Sequence, residues 1–456
     1  MVEIFPGAIS IKFATYTGYK TGGILGAVAA NLGNLFTPAI MILFTAYFYS
    51  LYEKNEFVNK AFSGIKYAIV GMIVAIMYQY AIKSGTDWRA YLMLVVGAAL
   101  ILTFKMHPAF VVLIAAVIGL IIFKNMKLVD SFGRIHDYIR ISLIDKCNLN
   151  CIYCNPVKLF NTSLTKKDIL SYEELIRLIT ILVKDLEVKK IRFTGGEPLI
   201  RKDIVKFFDM LCSLKKENPF EVGITTNGTC LEDKIESLYR CGLDSLNISL
   251  DTLNRQKFIA ITESDMFEST LRSINIAMNT GFKNVKVNSV IIRNINDDEL
   301  IDFIDYFKDT DINIRFIEYM PFSGNNWDNE KFLPWQKMKS RIEAKYKLVS
   351  VVQEGKIAKD YAVEGTNCKV GFISSVSNHF CDSCNRLRIT ASGKIKLCLF
   401  SSVEDIDLKI MLSDNSIEDE IIAEVISNSL KKKWYKHPEA EELAEMNYNN
   451  MMSIGG

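Results

Sequence analysis

Between Tyr138 and Tyr319 the chain alternates short β-branched runs with amphipathic stretches of helical period. Strands are expected at Tyr138 to Leu143, Lys190 to Thr194, Val222 to Thr226, Ser245 to Leu250, Val285 to Ile292 and Ile314 to Tyr319. Helices are expected near Tyr172 to Glu187, Asp203 to Leu214, Glu232 to Cys241, Phe267 to Gly281 and Asp298 to Phe307. Strands separated by helices run parallel, so the fold class is α/β, either an open doubly wound sheet or a partial (β/α)6 barrel. No G-x-G-x-x-G opens the first helix, which makes a nucleotide-binding doubly wound sheet the weaker choice.

The ten cysteines are grouped as two triplets with four scattered, a pattern of ligands in a reducing compartment rather than of disulfides. Cys147, Cys151 and Cys154 are spaced C-x3-C-x2-C directly after the first strand, the end of a barrel strand where chemistry sits. Three thiolates without a nearby fourth suit a cubane cluster with one open iron, a place to bind and reduce a small molecule. A zinc site completed by a distant residue and unrelated thiols are the structural alternatives. The second strand runs into Thr194-Gly-Gly-Glu-Pro198, where two glycines let backbone approach a ligand and Glu197 can accept from an ammonium group. By itself that stretch is equally a tight turn.

The second triplet, Cys381, Cys384 and Cys398, is spaced C-x2-C-x13-C. A zinc ribbon would offer two C-x-x-C knuckles and this stretch has one, although Cys368 could complete four ligands. Arg386 and Arg388 alternate on an extended segment and project to one side, where two guanidiniums can grip a polyphosphate; otherwise they are an exposed basic pair. Cys212, Cys230 and Cys241 read as core thiols, and Lys431-Lys-Lys433 as a solvated helix end or exposed patch.

The front of the chain is different in kind. Of the 54 Lys and Arg and 52 Asp and Glu, residues 1–127 hold ten and four, so the front is basic and the rest mildly acidic. A mildly acidic back part argues against general nucleic-acid binding, which would want a basic face. Apolar runs at Gly23 to Tyr52, Tyr67 to Ile82, Ala90 to Phe104 and Pro108 to Phe123 predict an all-α membrane segment of about four helices. No secretory signal is expected, because Met1 to Ser10 lacks a basic n-region. Lys124 and Lys127 favour a cytoplasmic exit, weakened by Lys54, Lys60 and Lys66 in one loop. Small residues Gly22, Gly26, Ala29 and Gly33 fit close helix packing, and Pro6-Gly7 fits a discontinuous helix. From residue 4 to about 123, Phe5-Pro-Gly-Ala-Ile-Ser-Ile-Lys-Phe-Ala-Thr-Tyr-Thr-Gly-Tyr-Lys20 and Gly22-Gly-Ile-Leu-Gly-Ala-Val-Ala-Ala-Asn-Leu-Gly33 resemble the later part of a chromate transporter family domain, without its first helix. The expected organisation is a membrane segment at 1–127, a barrel at 128–350 and a C-terminal region at 351–456.

C-x3-C-x2-C after the first strand and Gly-Gly-Glu-Pro after the second resemble the radical S-adenosylmethionine (SAM) superfamily. The second triplet, Asn385-Arg-Leu-Arg388 and the terminal Ile454-Gly-Gly456 narrow the resemblance to the GTP 3′,8-cyclase family of molybdenum-cofactor biosynthesis, over essentially all of residues 128–456. The resemblance implies two [4Fe-4S] clusters, one on each triplet, with SAM on the first and guanine of GTP on the second. It implies a 5′-deoxyadenosyl radical that takes hydrogen from C3′, after which C3′ attacks C8 to give (8S)-3′,8-cyclo-7,8-dihydroguanosine 5′-triphosphate. Family GTP contacts fall on Arg140, Arg192, Thr225, Lys286, Arg386 and Arg388, and SAM contacts on Tyr153, Gly196, Ser249 and Met320. Gly455 and Gly456 would reach the active site. Asn155 departs from the family, which has Met there, and the link from Asn155 to Tyr172 is slightly short. Implied partners are a flavodoxin- or ferredoxin-type reductant and the synthase that makes cyclic pyranopterin monophosphate, with a homodimer among the assemblies allowed. The catalytic part is expected in the cytoplasm, attached to a membrane through residues 1–127. Competing readings are a radical SAM enzyme with another substrate, an anion transporter carrying a redox module, and a zinc-bearing interaction protein.

Overall fold

The computed structural model describes residues 8–52, 55–83, 88–122, 127–154, 164–282, 284–322, 324–351, 358–400, 406–445 and 451. Backbone contacts divide the chain into Met1–Lys124 and Asn125–Gly456.

In the first unit each apolar run becomes a helix: α1 (Ala8–Tyr52), α2 (Glu56–Lys83), α3 (Trp88–Leu102) and α4 (Pro108–Ile122). α1 is broken at Gly22 and Gly23, whose backbone leaves the helical region (Gly23 φ 60°, ψ −147°). The chain turns back there, since Asn31 Nδ2 reaches Thr15 Oγ1 at 2.8 Å. The halves meet backbone to backbone: a Cβ on Gly26 would lie 2.2 Å from the Gly18 carbonyl oxygen, and one on Gly18 2.3 Å from that of Gly26. The small-residue expectation therefore holds at Gly26, with Gly18 as its partner, while a Cβ on Gly22 or Gly33 would meet nothing within 4 Å. Pro6-Gly7 lies outside the described residues; within them the helix breaks at Gly22-Gly23.

The expectation of membrane spans is corrected in part. Among the described residues no helix is long and apolar enough to cross a membrane. α3 and α4 have 15 residues each, about 22 Å at 1.5 Å per residue, against a hydrocarbon core of about 30 Å. α1, though long, is interrupted by its glycine break.

The second unit carries six consecutive parallel strands, β1 (Tyr138–Ser142), β2 (Lys190–Thr194), β3 (Glu221–Thr226), β4 (Ser245–Ser249), β5 (Val285–Ile291) and β6 (Asn313–Glu318). Between them run α5 (Tyr172–Lys184), α6 (Ile204–Glu217), α7 (Ile235–Arg240), α8 (Arg255–Thr262), α9 (Phe267–Asn279) and α10 (Leu300–Phe307). α8 was not expected. It begins where the Asn254 side chain accepts from the Gln256 and Lys257 amides, a cap with no hydrophobic period behind it. α5 starts on a capping box in which Ser171 and Glu174 serve each other's backbone, and buries Leu175, Leu178, Ile179 and Leu182 against the sheet.

Beyond residue 320 the chain adds α11 (Trp335–Glu343), β7 (Leu348–Ser350), β8 (Lys359–Val363), β9 (Lys369–Ile373), β10 (Arg386–Ile389), β11 (Lys394–Lys396) and β12 (Ile406–Asp407), then α12 (Lys409–Ser413), α13 (Asp419–Ser429) and α14 (Ala440–Glu445). The sheet order is β12-β11-β10-β1-β2-β3-β4-β5-β6-β9-β8-β7. β1 to β6 follow one another without the reversal of a doubly wound sheet, and side chains from β1 to β6 line one cavity, so the sheet curves as a partial barrel. Residues after 350 extend both flanks of this sheet: β10 joins β1 and β9 joins β6, each in parallel.

A buried ionic knot fixes the start of β1. Asp130 accepts from Arg134 Nε at 2.6 Å and from the Phe132 and Arg134 amides, and lies 3.0 Å from His136 Nε2. Arg134 also donates to the carbonyls of Cys381 (2.5 Å), Trp434 (2.8 Å) and Tyr435 (3.0 Å), tying this segment to the second triplet and the C-terminal strap. Burial would raise the Asp130 carboxyl, but hydrogen bonds from His136, Arg134 and Phe132 outweigh it and hold it at about 2. A depressed carboxyl stabilises the fold above its unfolded value near 4 and loses that contribution as pH falls through about 2, here about 2 kcal/mol. Asp130→Asn is expected to lower the unfolding free energy at pH 7 by about that amount, measured by denaturant titration. The difference from the parent should shrink as both are titrated below pH 4.

Candidate active site

The barrel encloses a cavity of about 540 Å³, within the range of small-molecule sites. Both cysteine triplets line it, as do Arg140, Arg192, Thr225, Lys286, Arg386 and Arg388, and Tyr153, Gly196, Ser249 and Met320. Gly455 and Gly456 lie outside the described residues.

Strand register sorts these groups along β1. The first triplet follows the C-terminal end of β1. β10 pairs with β1 in parallel so that Arg386 stands opposite Tyr138, the first residue of β1, and Cys384 lies two residues before it. The triplets therefore meet opposite ends of a strand five residues long, about 16 Å. Between them runs a row of cations: Arg388 stands opposite Arg140, and Arg140 opposite Arg192.

At the first triplet, the Gly195-Gly196 corner lies against the cysteine loop itself. Gly196 and Glu197 donate their amides to the Ile144 and Lys146 carbonyls (2.7 and 2.8 Å), and a Cβ on Gly196 would sit 2.2 Å from the Lys146 oxygen. Glu197 is fully buried and accepts from the Leu199 amide (2.9 Å), the Thr226 hydroxyl (2.7 Å) and the Asn227 amide (2.6 Å). Three of its acceptor positions are committed to this corner. Asn227 Nδ2 points at Cys147 Sγ (3.8 Å) and bonds Asn148 Oδ1 (2.9 Å), so the third strand's loop braces the first triplet. Tyr153 donates to Asp251 at 2.7 Å. Burial pushes the Cys147 thiol up to about 11 and Cys154 to about 12, so taking up a metal centre must release protons.

Among the described contacts Arg192 is held by neutral groups, and Arg315 lies 3.9 Å from Asp360. Arg192 is spread over the Tyr138 hydroxyl (2.8 Å), the Ile224 carbonyl (3.0 Å) and the Ser245 hydroxyl (2.8 Å), in space left by Gly223, where a Cβ would lie 2.7 Å from the Arg192 guanidinium carbon. Burial drives Arg388 and Arg315 down to about 10. Nε of Arg315 and of Arg386 is buried with no hydrogen-bond partner among the described residues, as are Thr225 Oγ1, Asn247 Oδ1 and Asn288 Oδ1. Buried donors and acceptors left unmatched around one cavity fit an anionic, polar ligand.

Sequence reading missed Tyr138, Lys190, Arg315 and Lys433, all of which line the cavity. Tyr138 and Lys190 stand two residues before Arg140 and Arg192, so strand alternation could have found them. Burial alone would raise the Tyr138 hydroxyl, but the charges of Arg192, Arg386, Arg140 and Lys190 bring it to about 7. Lys433, read as solvated, is only 5% exposed. Among the described residues no group of His, Cys, Asp and Glu converges to hold a single metal ion. In an iron-sulfur cluster each thiolate meets its own iron, so wider spacing suits it.

Sequence comparison agrees with this arrangement. The Radical SAM superfamily matches residues 141–307, Molybdenum Cofactor Synthesis C residues 312–439, and Chromate transporter residues 1–120. The fold resembles Streptococcus suis SuiB bound to S-adenosylmethionine, with a TM-score of 0.50, 13% identity and 80% of each chain covered. The catalytic unit is thus a radical SAM enzyme. A mitochondrial GTP 3′,8-cyclase from Arabidopsis thaliana is 41% identical over 332 residues, 72% of this chain and 83% of the relative. One from Thermodesulfovibrio yellowstonii is 43% identical over 299 residues, 65% of this chain and 92% of the relative. The chain belongs to the GTP 3′,8-cyclase family. It spans 55% of another relative, Molybdenum cofactor biosynthesis protein 1 of Drosophila melanogaster, at 41% identity over 70% of this chain.

Gly196→Ala is expected to displace the Cys147–Cys154 loop through its clash with Lys146. The iron-to-protein ratio after anaerobic loading should fall; an unchanged ratio would show that the loop can yield.

Proposed function

We propose that residues 128–456 convert GTP to (8S)-3′,8-cyclo-7,8-dihydroguanosine 5′-triphosphate, the first step of molybdenum cofactor biosynthesis. The observation that carries this reading is one cavity bordered by two cysteine triplets, with a row of cations between them. Cys147, Cys151 and Cys154 would hold one [4Fe-4S] cluster, with SAM beside it at Tyr153, Gly196, Ser249 and Met320. Cys381, Cys384 and Cys398 would hold a second cluster and, through it, guanine. When bound, the first cluster and SAM supply a 5′-deoxyadenosyl radical that removes hydrogen from C3′ of the ribose.

The chain's own residues do the rest by position and charge. Arg388, Arg140 and Arg192 in one row, with Arg386, Lys286 and the Thr225 hydroxyl, match a triphosphate carrying about four negative charges in a site with little water. Arg192 is held from three sides and so contributes a fixed charge at little ordering cost. The opposite placement of the triplets would stretch the nucleotide along β1, its base at one end and its ribose toward the other. Gly455 and Gly456 are assigned to the same site by resemblance, as are a flavodoxin- or ferredoxin-type reductant and the synthase that consumes the product.

For residues 1–127 we propose a membrane anchor derived from an anion transporter. Its support is the Chromate transporter match and large exposed apolar side chains, among them Leu25 (83%), Phe57 (85%) and Leu102 (78%). The glycine-broken hairpin in α1 allows shallow insertion without a full crossing. The full chain is expected to stay with membranes through a carbonate wash, whereas residues 128–456 alone stay in the supernatant. Release of the full chain would refute the anchor.

The catalytic reading is tested by loading the enzyme anaerobically with iron and sulfide, adding SAM, a strong reductant and GTP, and quantifying 5′-deoxyadenosine and cyclised nucleotide. Cys147→Ala should abolish both. Arg388→Ala should lower cyclised nucleotide by about 100-fold, the loss of one charge-assisted phosphate contact, while 5′-deoxyadenosine still forms. If GTP is untouched in the parent although 5′-deoxyadenosine appears, the substrate assignment fails and the radical assignment stands.

A further inference from the structure

We infer that Lys433 is a positioning residue for the second cysteine triplet, linking the two backbone segments that carry Cys384 and Cys398 and supplying a positive charge that favours the reduced state of the cluster there. This rests on the two-cluster reading proposed above.

Lys433 ends a run of three lysines, and its setting differs from that of its neighbours. Lys431 and Lys432 are exposed, while Lys433 is buried against the cavity at the start of the C-terminal strap. Its Nζ donates to the Arg386 carbonyl at 3.1 Å and to the Leu397 carbonyl. Arg386 lies two residues after Cys384, and Leu397 immediately precedes Cys398. One ammonium therefore clamps the start of β10 to the end of β11, which fixes the spacing of two of the three thiols.

Carbonyl dipoles satisfy its hydrogens but leave a full charge in a water-poor place. Arg134, the other cation bound to this loop, is neutralised by Asp130 at 2.6 Å. Lys433 has no carboxylate among its described partners. Leu397 adjoins Cys398, so this charge lies beside the triplet. Adding an electron to a cluster adds one negative charge, so a buried cation beside it raises its reduction potential, as charge and hydrogen bonding do generally at such centres.

The test uses the full chain with Cys147, Cys151 and Cys154 changed to Ala, so that only the second triplet carries a cluster, comparing Lys433 with Lys433→Gln and Lys433→Arg. Iron content and the midpoint potential, followed by electron paramagnetic resonance during reductive titration, are read for each. Lys433→Gln keeps donors without charge and is expected to make reduction at least tenfold less favourable, about 59 mV for a one-electron couple. Lys433→Arg should return to within about threefold of the parent. Should Lys433→Gln fail to hold iron while Lys433→Arg holds it, and both apo-proteins melt with the parent, the clamp and its charge are again supported. An unchanged potential in an iron-replete Lys433→Gln overturns the inference, as does an equal shift or an equal loss of iron in both variants. If the parent triplet takes up no iron in this background, the two-cluster reading itself has failed, whatever the lysine does.

Discussion

Three guanidiniums on neighbouring strands repel one another, and the row of Arg388, Arg140 and Arg192 across β10, β1 and β2 exists only because the sheet enforces it. Among the described contacts, Arg192 is offset by hydroxyls and a carbonyl, not by a carboxylate. A core that tolerates such a row draws its stability from elsewhere, and here that is the apolar layer beneath the sheet, with Phe193, Phe207, Phe208, Phe303 and Phe316 fully buried.

The residues after 350 complete this arrangement more than they append to it. β10 supplies one third of the row and carries the second triplet to the end of β1 opposite the first. β9 seals the far flank against β6. Glu318, at the end of β6, is fully buried and accepts from the amides of Trp335, Val376 and Ser377, so the same carboxylate fastens α11 and the segment leading to the second triplet. The Arg134 knot fastens that triplet from the other side. The barrel and its C-terminal region share one hydrogen-bonded sheet and one cavity, and neither has the site alone.

The first unit obeys different physics. Its helices turn large apolar side chains outward, while Gly18 and Gly26 let two of its segments meet backbone to backbone. Surfaces of that kind are satisfied by lipid or by other apolar matter, and close glycine contacts are the usual means of packing helices where no hydrophobic force acts between them.

The six-strand alternation, both cysteine triplets and the Arg386-Arg388 pair were legible in the sequence, because period, spacing and residue type are local properties of the chain, whereas Arg140 and Arg192 were indicated only by family resemblance. Strand boundaries came within a residue or two for the same reason: β-branched runs end where glycine and polar residues begin. Other features were decided only by tertiary structure. Glu197 could be seen to be a carboxylate near the cysteine loop, but its commitment to Leu199, Thr226 and Asn227 depends on how the second and third strands sit side by side. Lys433 sits in a lysine run that any local rule places in water, and it is buried because the C-terminal strap folds back across β10 and β11. The opposite placement of the triplets follows from β10 joining β1 in parallel after nearly 250 intervening residues, a pairing that a register fixes and local sequence does not. What a residue is belongs to the sequence. What it faces is set by contacts between distant segments, and those are chosen by the packing of the whole sheet.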